Sequence, residues 1–277
     1  MIHRLAGAAI RAVIVAFIVA APALALPGVG AEVAQMIALI GLVAAILTFV
    51  EYVSVFPSLI EFRAAPPLNR MRAGLLAMLL LMSALVVRDA LLPSLPTGAA
   101  SGVATAIGRL VDFPFSPVRL AVLVLPEGAP REVVILVRAV AGAAYVIAMG
   151  GVLVFAVYVR LLGWPIRRQA FNVWTNLPMF DPTTGGDVLY RLKRDAHFNL
   201  ALGFLLPFLL PAAAKSAAAF GIALPYGAPL ALVWTVSIWA FLPASLMMRG
   251  IALLRVADLI EEKRRRAYAQ SEHLSPA

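Results

Sequence analysis

Long apolar runs, separated by short polar and basic segments, recur along the whole chain. Hydrophobic residues make up 62% of the 277 positions, charged residues make up only 13%, and the mean hydropathy is +0.94. A helix needs about 20 apolar residues to cross the hydrocarbon core of a bilayer, and several of these runs reach that length. The pattern therefore predicts an all-α, polytopic integral membrane protein rather than a soluble domain.

Six of the runs are long enough to span a bilayer, so we expect a transmembrane domain over residues 1–255 and a cytoplasmic charged helix and tail over 256–277. Two amphipathic stretches, 99–112 and 188–197, are expected to lie along the membrane surface. The run 118–125 is too short to span and should be interfacial or packed against other helices. The predicted spans cover about 8–26, 33–55, 74–92, 133–159, 198–214 and 230–248.

The first apolar segment also fits a cleaved signal peptide, because basic residues precede it and Ala23-Leu24-Ala25 ends it. We interpret it as a retained helix, which places both termini on one side of the membrane. That side then holds 17 of the 23 lysines and arginines, so the positive-inside rule predicts that both termini are cytoplasmic. Abundant arginine and alanine fit a GC-rich bacterial genome, and we expect a bacterial inner membrane.

Ionisable residues near the ends of the predicted spans are candidates for intramembrane function. None lies in the central third of a span, so we expect these side chains to snorkel or pair near the headgroups rather than to relay protons. Arg88 and Asp89 are adjacent and cannot face each other on a helix; Arg138 and Lys215 are the candidate partners for a buried Asp89. The full set is Glu51, Arg88, Asp89, Arg138 and Lys215.

Pro207 and Pro211 interrupt the fifth span. They remove two backbone donors from one face and bend the helix. Broken helices line some transport sites, which makes both prolines gating candidates, but we favour a structural role because no central polar residue accompanies them. The fourth span carries a small-residue stripe for close packing, inside the protein or against a partner: Ala141, Ala144, Ala148 and Gly151.

The basic loop between the fourth and fifth spans holds an aromatic cluster that includes Trp174 and Phe180. We expect this cluster to lie at the inner headgroup level and to contact lipid or a partner. Residues 181–187 should form a turn in which Asp187 caps the following helix. Phosphate binding by 183–186 is a minor alternative, because no strand precedes the glycines and the Gly-x-x-x-x-Gly-Lys pattern is absent.

The C-terminal helix combines an apolar stripe, formed by Leu253, Val256, Leu259 and Ile260, with a basic run. The stripe needs a cover, which the 188–197 helix, the membrane surface or another protein could supply. The pairs Glu261–Arg265 and Glu262–Arg266 have the favourable i,i+4 order. We interpret the basic run as a stop-transfer anchor, with a further role at anionic lipid or an acidic partner: Lys263, Arg264, Arg265 and Arg266.

Side chains suited to catalysis are scarce. The chain has no cysteine and only three histidines, so thiolate, haem-ligating and paired His–Glu sites are not predicted, and we expect no cofactor, no metal and no enzyme activity. The positive charge is mainly a topology signal, so nucleic acid is not an expected partner. We predict an accessory subunit, assembly factor or scaffold bound to other membrane subunits, with a small transporter or channel as the alternative.

Overall fold

The computed structural model describes residues 2–55, 58–92, 98–165, 176–178, 180, 187–221 and 227–274. Within these ranges the chain forms eight α-helices and no strand. The helices, numbered in chain order, are α1 (Ile2–Ala25), α2 (Ala31–Val53), α3 (Leu68–Leu91), α4 (Gly98–Val111), α5 (Pro117–Leu123), α6 (Arg131–Leu161), α7 (Val188–Ala219) and α8 (Pro229–Leu274).

Six of these helices, α1, α2, α3, α6, α7 and α8, are long and apolar enough to cross a membrane. The chain is therefore an all-helical, multi-pass membrane protein, as its hydropathy predicts. Two helices extend well beyond their predicted spans, because α7 begins at Val188 and α8 continues without a break to Leu274. The segment 188–197 is thus the first part of α7 and not a separate surface helix.

Contacts between the connecting segments show which helix ends lie together. The guanidinium of Arg4, near the start of α1, donates to the carbonyl of Ser54 after α2. The indole of Trp164, after α6, donates to the carbonyl of Pro66 before α3 at 3.1 Å. The long helices therefore alternate in direction, so α1 begins and α8 ends at the same end of the bundle. We call this the terminal end, and α4 and α5 lie at the opposite end.

The centre of the bundle is formed by α3, α6 and α8, each of which packs against the other two. The helix α7 lies along α8, and α5 packs between α6 and α7 rather than standing free at the interface. Among the described helices α2 packs only against α1. Only 11% of the apolar window of α2 is buried, compared with 50% for α8, so α2 presents most of its surface to lipid.

Two glycines allow α4 to approach α6 closely. A Cβ at Gly142 would lie 2.5 Å from the Cα of Gly108, so neither position accepts a larger residue without a shift of the helices. Farther along α6, a Cβ at Gly151 would lie 3.0 Å from the side chain of Leu75 in α3. The small-residue stripe of α6 therefore packs inside the chain, and its alanines are fully buried: Ala141, Ala144 and Ala148.

The large apolar side chains of α4 face away from the other helices. Val103 and Leu110 are 61% and 80% exposed, whereas Ala104 and Gly108 are buried against α6. The helix is thus held to the bundle by its small residues, and Val103 and Leu110 remain available to lipid.

Candidate functional site

Glu51 lies in the last turn of α2 and is only 6% exposed. Its carboxylate accepts hydrogen bonds from the backbone N–H groups of Ser58, Leu59 and Ile60 at 3.1, 3.1 and 3.2 Å, and from the Ser58 hydroxyl. These donors satisfy the carboxylate within the segment that follows α2. Glu51 therefore fixes the path of the chain, and of the two expected behaviours, snorkelling or pairing, its side chain is held by nearby donors.

The candidate partners of Asp89 make other contacts at the opposite end. The Nε atom of Arg138 lies 3.4 Å from a carboxylate oxygen of Asp112, which also pairs with Arg119 at 2.8 Å. The Nζ atom of Lys215 is 3.4 Å from the carbonyl oxygen of Leu125. The predicted pairing of Asp89 with Arg138 or Lys215 is therefore not observed; Arg138 pairs with Asp112, which the sequence did not single out, and Lys215 contacts a backbone carbonyl.

Asp89 itself is buried without a polar partner. The residue is 8% exposed, and neither carboxylate oxygen has a hydrogen-bond partner among the described residues. Its neighbour Arg88 is partly exposed and forms no ion pair in the same part of the chain. An unpaired buried carboxylate is unfavourable, so we expect Asp89 to lower the stability of the protein near the C-terminal end of α3.

Pro207 and Pro211 lie in a segment of α7 that is fastened to α8. Because Pro211 has no N–H, the carbonyl of Pro207 lacks its helical partner, and the indole N–H of Trp239 donates to it at 3.2 Å. Close by, a Cβ at Gly203 would lie 2.8 Å from the carbonyl oxygen of Pro243. The part of α7 that contains the prolines stays helical and packs against α8, which supports a structural role for both prolines.

The apolar stripe of the C-terminal segment is covered by α7. Leu253 and Val256 are 2% exposed, and α7, whose Leu192 and Ala196 are fully buried, packs along α8. Leu259 and Ile260, the other two residues of the stripe, are half-buried, so the stripe is covered in part within the chain. Of the three covers considered from sequence, the one inside the chain is observed.

Ion pairs reinforce the contact between α7 and α8. The Lys193 ammonium lies 2.7 Å from Glu261, so Glu261 pairs across the helices rather than with Arg265 as expected. The Glu262–Arg266 pair forms as predicted, at 3.5 Å. A further pair joins Arg264 to Asp187 at 3.0 Å.

Asp187 caps α7 as predicted. Its Oδ1 atom accepts the backbone N–H of Leu189 at 3.2 Å. This bond, followed by the bond from Arg264, lowers the pKa of Asp187 below its ordinary value. The candidate phosphate-binding residues 183–186 lie outside the described residues.

The aromatic cluster of the basic loop is only partly described, and Trp174 lies outside the described residues. Phe180 is 8% exposed, with the guanidinium of Arg191 4.7 Å from the centre of its ring. Phe180 is therefore buried within the protein, and the expected surface contact with lipid or a partner is wrong for this residue. The contact with Arg191 of α7 accounts for part of this burial.

Two buried residues that the sequence reasoning overlooked join the loops at the terminal end. Trp164 donates through its indole to Pro66, while its own carbonyl accepts from Arg255 at 3.1 Å. The side-chain oxygen of Asn176 accepts the backbone N–H of Ala64 at 3.0 Å. A tryptophan followed by proline in a basic loop was the available signal for the first of these anchors.

A large cavity lies at the terminal end between the α1–α2 hairpin and the helices α3, α7 and α8. Its volume is about 920 Å³. One carboxylate, Glu61, and four guanidinium groups line it, and we call it the arginine cavity. The arginines come from three helices: Arg11, Arg70, Arg72 and Arg249.

Only one of these arginines is neutralised by a carboxylate among the described residues. The Nε and Nη2 atoms of Arg249 lie 2.5 and 2.7 Å from the two oxygens of Glu61, a bidentate pair. Arg11 donates to the carbonyl of Gly7 and lies over an aromatic ring. Arg70 and Arg72 have no hydrogen bond or ion pair within the described residues. The cavity therefore carries surplus positive charge.

The cavity is polar toward the terminal end and apolar toward the membrane centre. Along α1, Ile18 lies seven residues beyond Arg11, or about 10 Å at 1.5 Å per residue. Along α8, Phe241 lies eight residues before Arg249, or about 12 Å. The arrangement can hold a molecule that has an anionic head and an apolar body.

In the described part of the chain, no three His, Asp or Glu side chains lie close enough together to hold a metal ion. No protein-family model matches this sequence, and neither a curated protein nor a solved structure matches it. Functional inference therefore rests on the geometry of the chain itself.

Proposed function

We propose that this chain is a non-catalytic protein of a bacterial inner membrane that serves as an accessory subunit, assembly factor or scaffold of a membrane complex. The supporting observation is a rigid projection at the terminal end. The helix α8 contains 46 residues, about 69 Å at 1.5 Å per residue, which is more than twice the ~30 Å hydrocarbon core. Its last part extends out of the membrane as a continuous helix.

The projection is braced by α7 and presents charge on its outer surface. Two ion pairs join it to α7, and Leu253 and Val256 of its apolar stripe are buried. Lys263 and Arg265 are exposed and form no ion pair among the described residues. A braced helix with a basic surface is suited to dock an acidic segment of another subunit.

We further propose that the projection lies in the cytoplasm, together with both termini. The support is the distribution of charge along the sequence, since 17 of the 23 lysines and arginines belong to the segments that a six-span topology assigns to the side of the termini. In this orientation the basic loop and the projection face the same compartment as the anionic inner-leaflet lipids.

Purification of the tagged full chain in mild detergent, followed by native mass spectrometry, tests the accessory role. We expect a complex of fixed composition that is weakened when Lys263→Glu and Arg265→Glu are combined. The control combines Arg109→Glu with Arg131→Glu, which changes the charge equally at the opposite end. A wild-type chain that emerges alone, or a complex unaffected by the first pair, would contradict the proposal.

A small transporter or channel is the second candidate, favoured by the two prolines of α7 and by the arginine cavity. Transport through α7 would require its bend to change, whereas the Trp239 bond and the contact at Gly203 hold that bend against α8. Solute flux into proteoliposomes containing the chain alone distinguishes the two roles. Flux that falls sharply when Pro207 and Pro211 become alanine would favour the transporter.

A further inference from the structure

We infer that the arginine cavity is a binding site for one anionic phospholipid from the leaflet at the terminal end. The phosphate would lie at Arg70 and Arg72, and an acyl chain would follow the apolar wall toward Phe241. This site goes beyond the proposed accessory role, because it binds a lipid and requires no protein partner.

The arginine cavity contains more positive than negative charge. Glu61 forms a bidentate pair with Arg249 and also attracts Arg72, but one carboxylate cannot neutralise four guanidinium groups. Arg72 is partly buried at the start of a membrane-spanning helix and has no hydrogen bond or ion pair among the described residues. A partly buried cation is favoured by a bound anion, and the planar guanidinium fork matches phosphate oxygens.

The gradient of polarity identifies the rest of the ligand. Ile14 and Ile18 of α1, Ala77 of α3 and Phe241 of α8 line the membrane side of the cavity. Free phosphate would leave this apolar wall unoccupied, whereas a phospholipid places its phosphate and its chain at matching depths. A volume of about 920 Å³ holds a headgroup and the upper part of a chain.

An opening to the bilayer gives the lipid access. The helices α1 and α7 both line the cavity, through Ile14 and Asn199 for example, but they do not pack against each other. Because α2 packs only on α1, the hairpin is attached at one side of the bundle. A lipid can therefore enter sideways between α1 and α7 without leaving the membrane.

Native mass spectrometry of the purified full chain tests the site, with dioleoyl phosphatidylglycerol, dioleoyl phosphatidylcholine and inorganic phosphate as probes. We expect one phosphatidylglycerol to be retained at least about tenfold more tightly than phosphatidylcholine, because charge-assisted hydrogen bonds to phosphate are among the strong ones. Millimolar inorganic phosphate should not displace it. Equal retention of the two lipids, or displacement by phosphate, would overturn the inference.

Two variants locate the bound lipid. Combining Arg70→Gln with Arg72→Gln should remove the preference, whereas Arg109→Gln with Arg131→Gln, an equal change of charge at the opposite end, should leave it intact. Unchanged preference in the first pair would refute the assignment.

Ala77→Phe keeps every charge but fills the apolar part of the cavity. Lipid retention by this variant tests the site if the variant that combines Arg70→Gln with Arg72→Gln fails to fold. Ala77→Phe should weaken binding severalfold, and full retention would also refute the site. Because the purified chain is measured alone, these outcomes are independent of whether the accessory role holds.

Discussion

The indole N–H of Trp239 in α8 donates to the backbone carbonyl of Pro207 in α7 at 3.2 Å. That carbonyl is available only because Pro211, four residues later, has no N–H. The neighbouring helix therefore repairs the proline break, as is common where prolines occur in membrane helices. The hydrogen bond that α7 lacks at Pro207 is replaced by a hydrogen bond from α8.

We expect Trp239→Phe to lower the free energy of unfolding by about 1 kcal/mol, since the stack on Tyr145 is retained while the hydrogen bond is lost. Pro211→Ala supplies a backbone N–H to the same carbonyl, so Trp239→Phe should cost much less in that background. A double-mutant cycle from thermal unfolding in detergent measures this coupling. Strict additivity would show that the bond contributes nothing to stability.

The Glu61–Arg249 pair should contribute more to stability than the Lys193–Glu261 pair. Glu61 is 8% exposed, so Glu61→Gln leaves Arg249 partly buried without its counter-ion, and we expect a loss of about 2 kcal/mol. Lys193 is 38% exposed, and Lys193→Gln should cost about 0.5 kcal/mol or less. Chemical denaturation of both variants under one condition measures the two losses of stability. Equal losses would contradict the expectation that the Glu61–Arg249 pair contributes more.

At the end of the bundle away from the termini, we expect substitution of two aspartates to change the stability of the protein in opposite directions. Asp89→Asn removes a buried charge that has no polar partner in the described residues, so it should stabilise the protein by about 1 kcal/mol. Asp112→Asn weakens the pairs with Arg119 and Arg138 and should destabilise it by a similar amount. Melting temperatures in detergent provide the comparison. Destabilisation by Asp89→Asn would instead indicate that the charge has a role.

The cap of α7 should loosen in acid. The folded state lowers the pKa of Asp187, so its stabilising effect is complete above the ordinary carboxyl pKa and is lost as the pH falls through the lowered value. Amide exchange in the first turn of α7 should accelerate in that range. Asp187→Asn retains an oxygen acceptor but does not titrate, so amide exchange in this variant should lack the acid-dependent acceleration. The same acceleration in the variant would exclude Asp187 as the cause.

Topology can be tested without background labelling because the chain contains no cysteine. Glu127, before α6, and Gln270, near the end of α8, are both exposed and lie at opposite ends of the bundle. With cytoplasmic termini, a membrane-impermeant maleimide should label Glu127→Cys in intact cells and label Gln270→Cys only after permeabilisation. The reverse pattern would invert the proposed orientation.

Local patterns in the sequence were sufficient to predict the membrane class and the approximate positions of six spans. Apolar length is a property of consecutive residues, and crossing a bilayer depends directly on it. The Asp187 cap and the Glu262–Arg266 pair were also predictable, because their partners lie within four residues. These features need no knowledge of how the helices are arranged.

Contacts between helices depended on the tertiary structure. Glu61 and Arg249 are 188 positions apart, and the arginine cavity combines side chains from five helices. Which side chains meet is decided by how each helix is rotated and how closely it approaches its neighbours. The close approach of Gly108 and Gly142 determines how α4 and α6 are oriented against each other. An apolar run shows that a helix enters the membrane, but only packing determines which of its faces meets protein and which meets lipid.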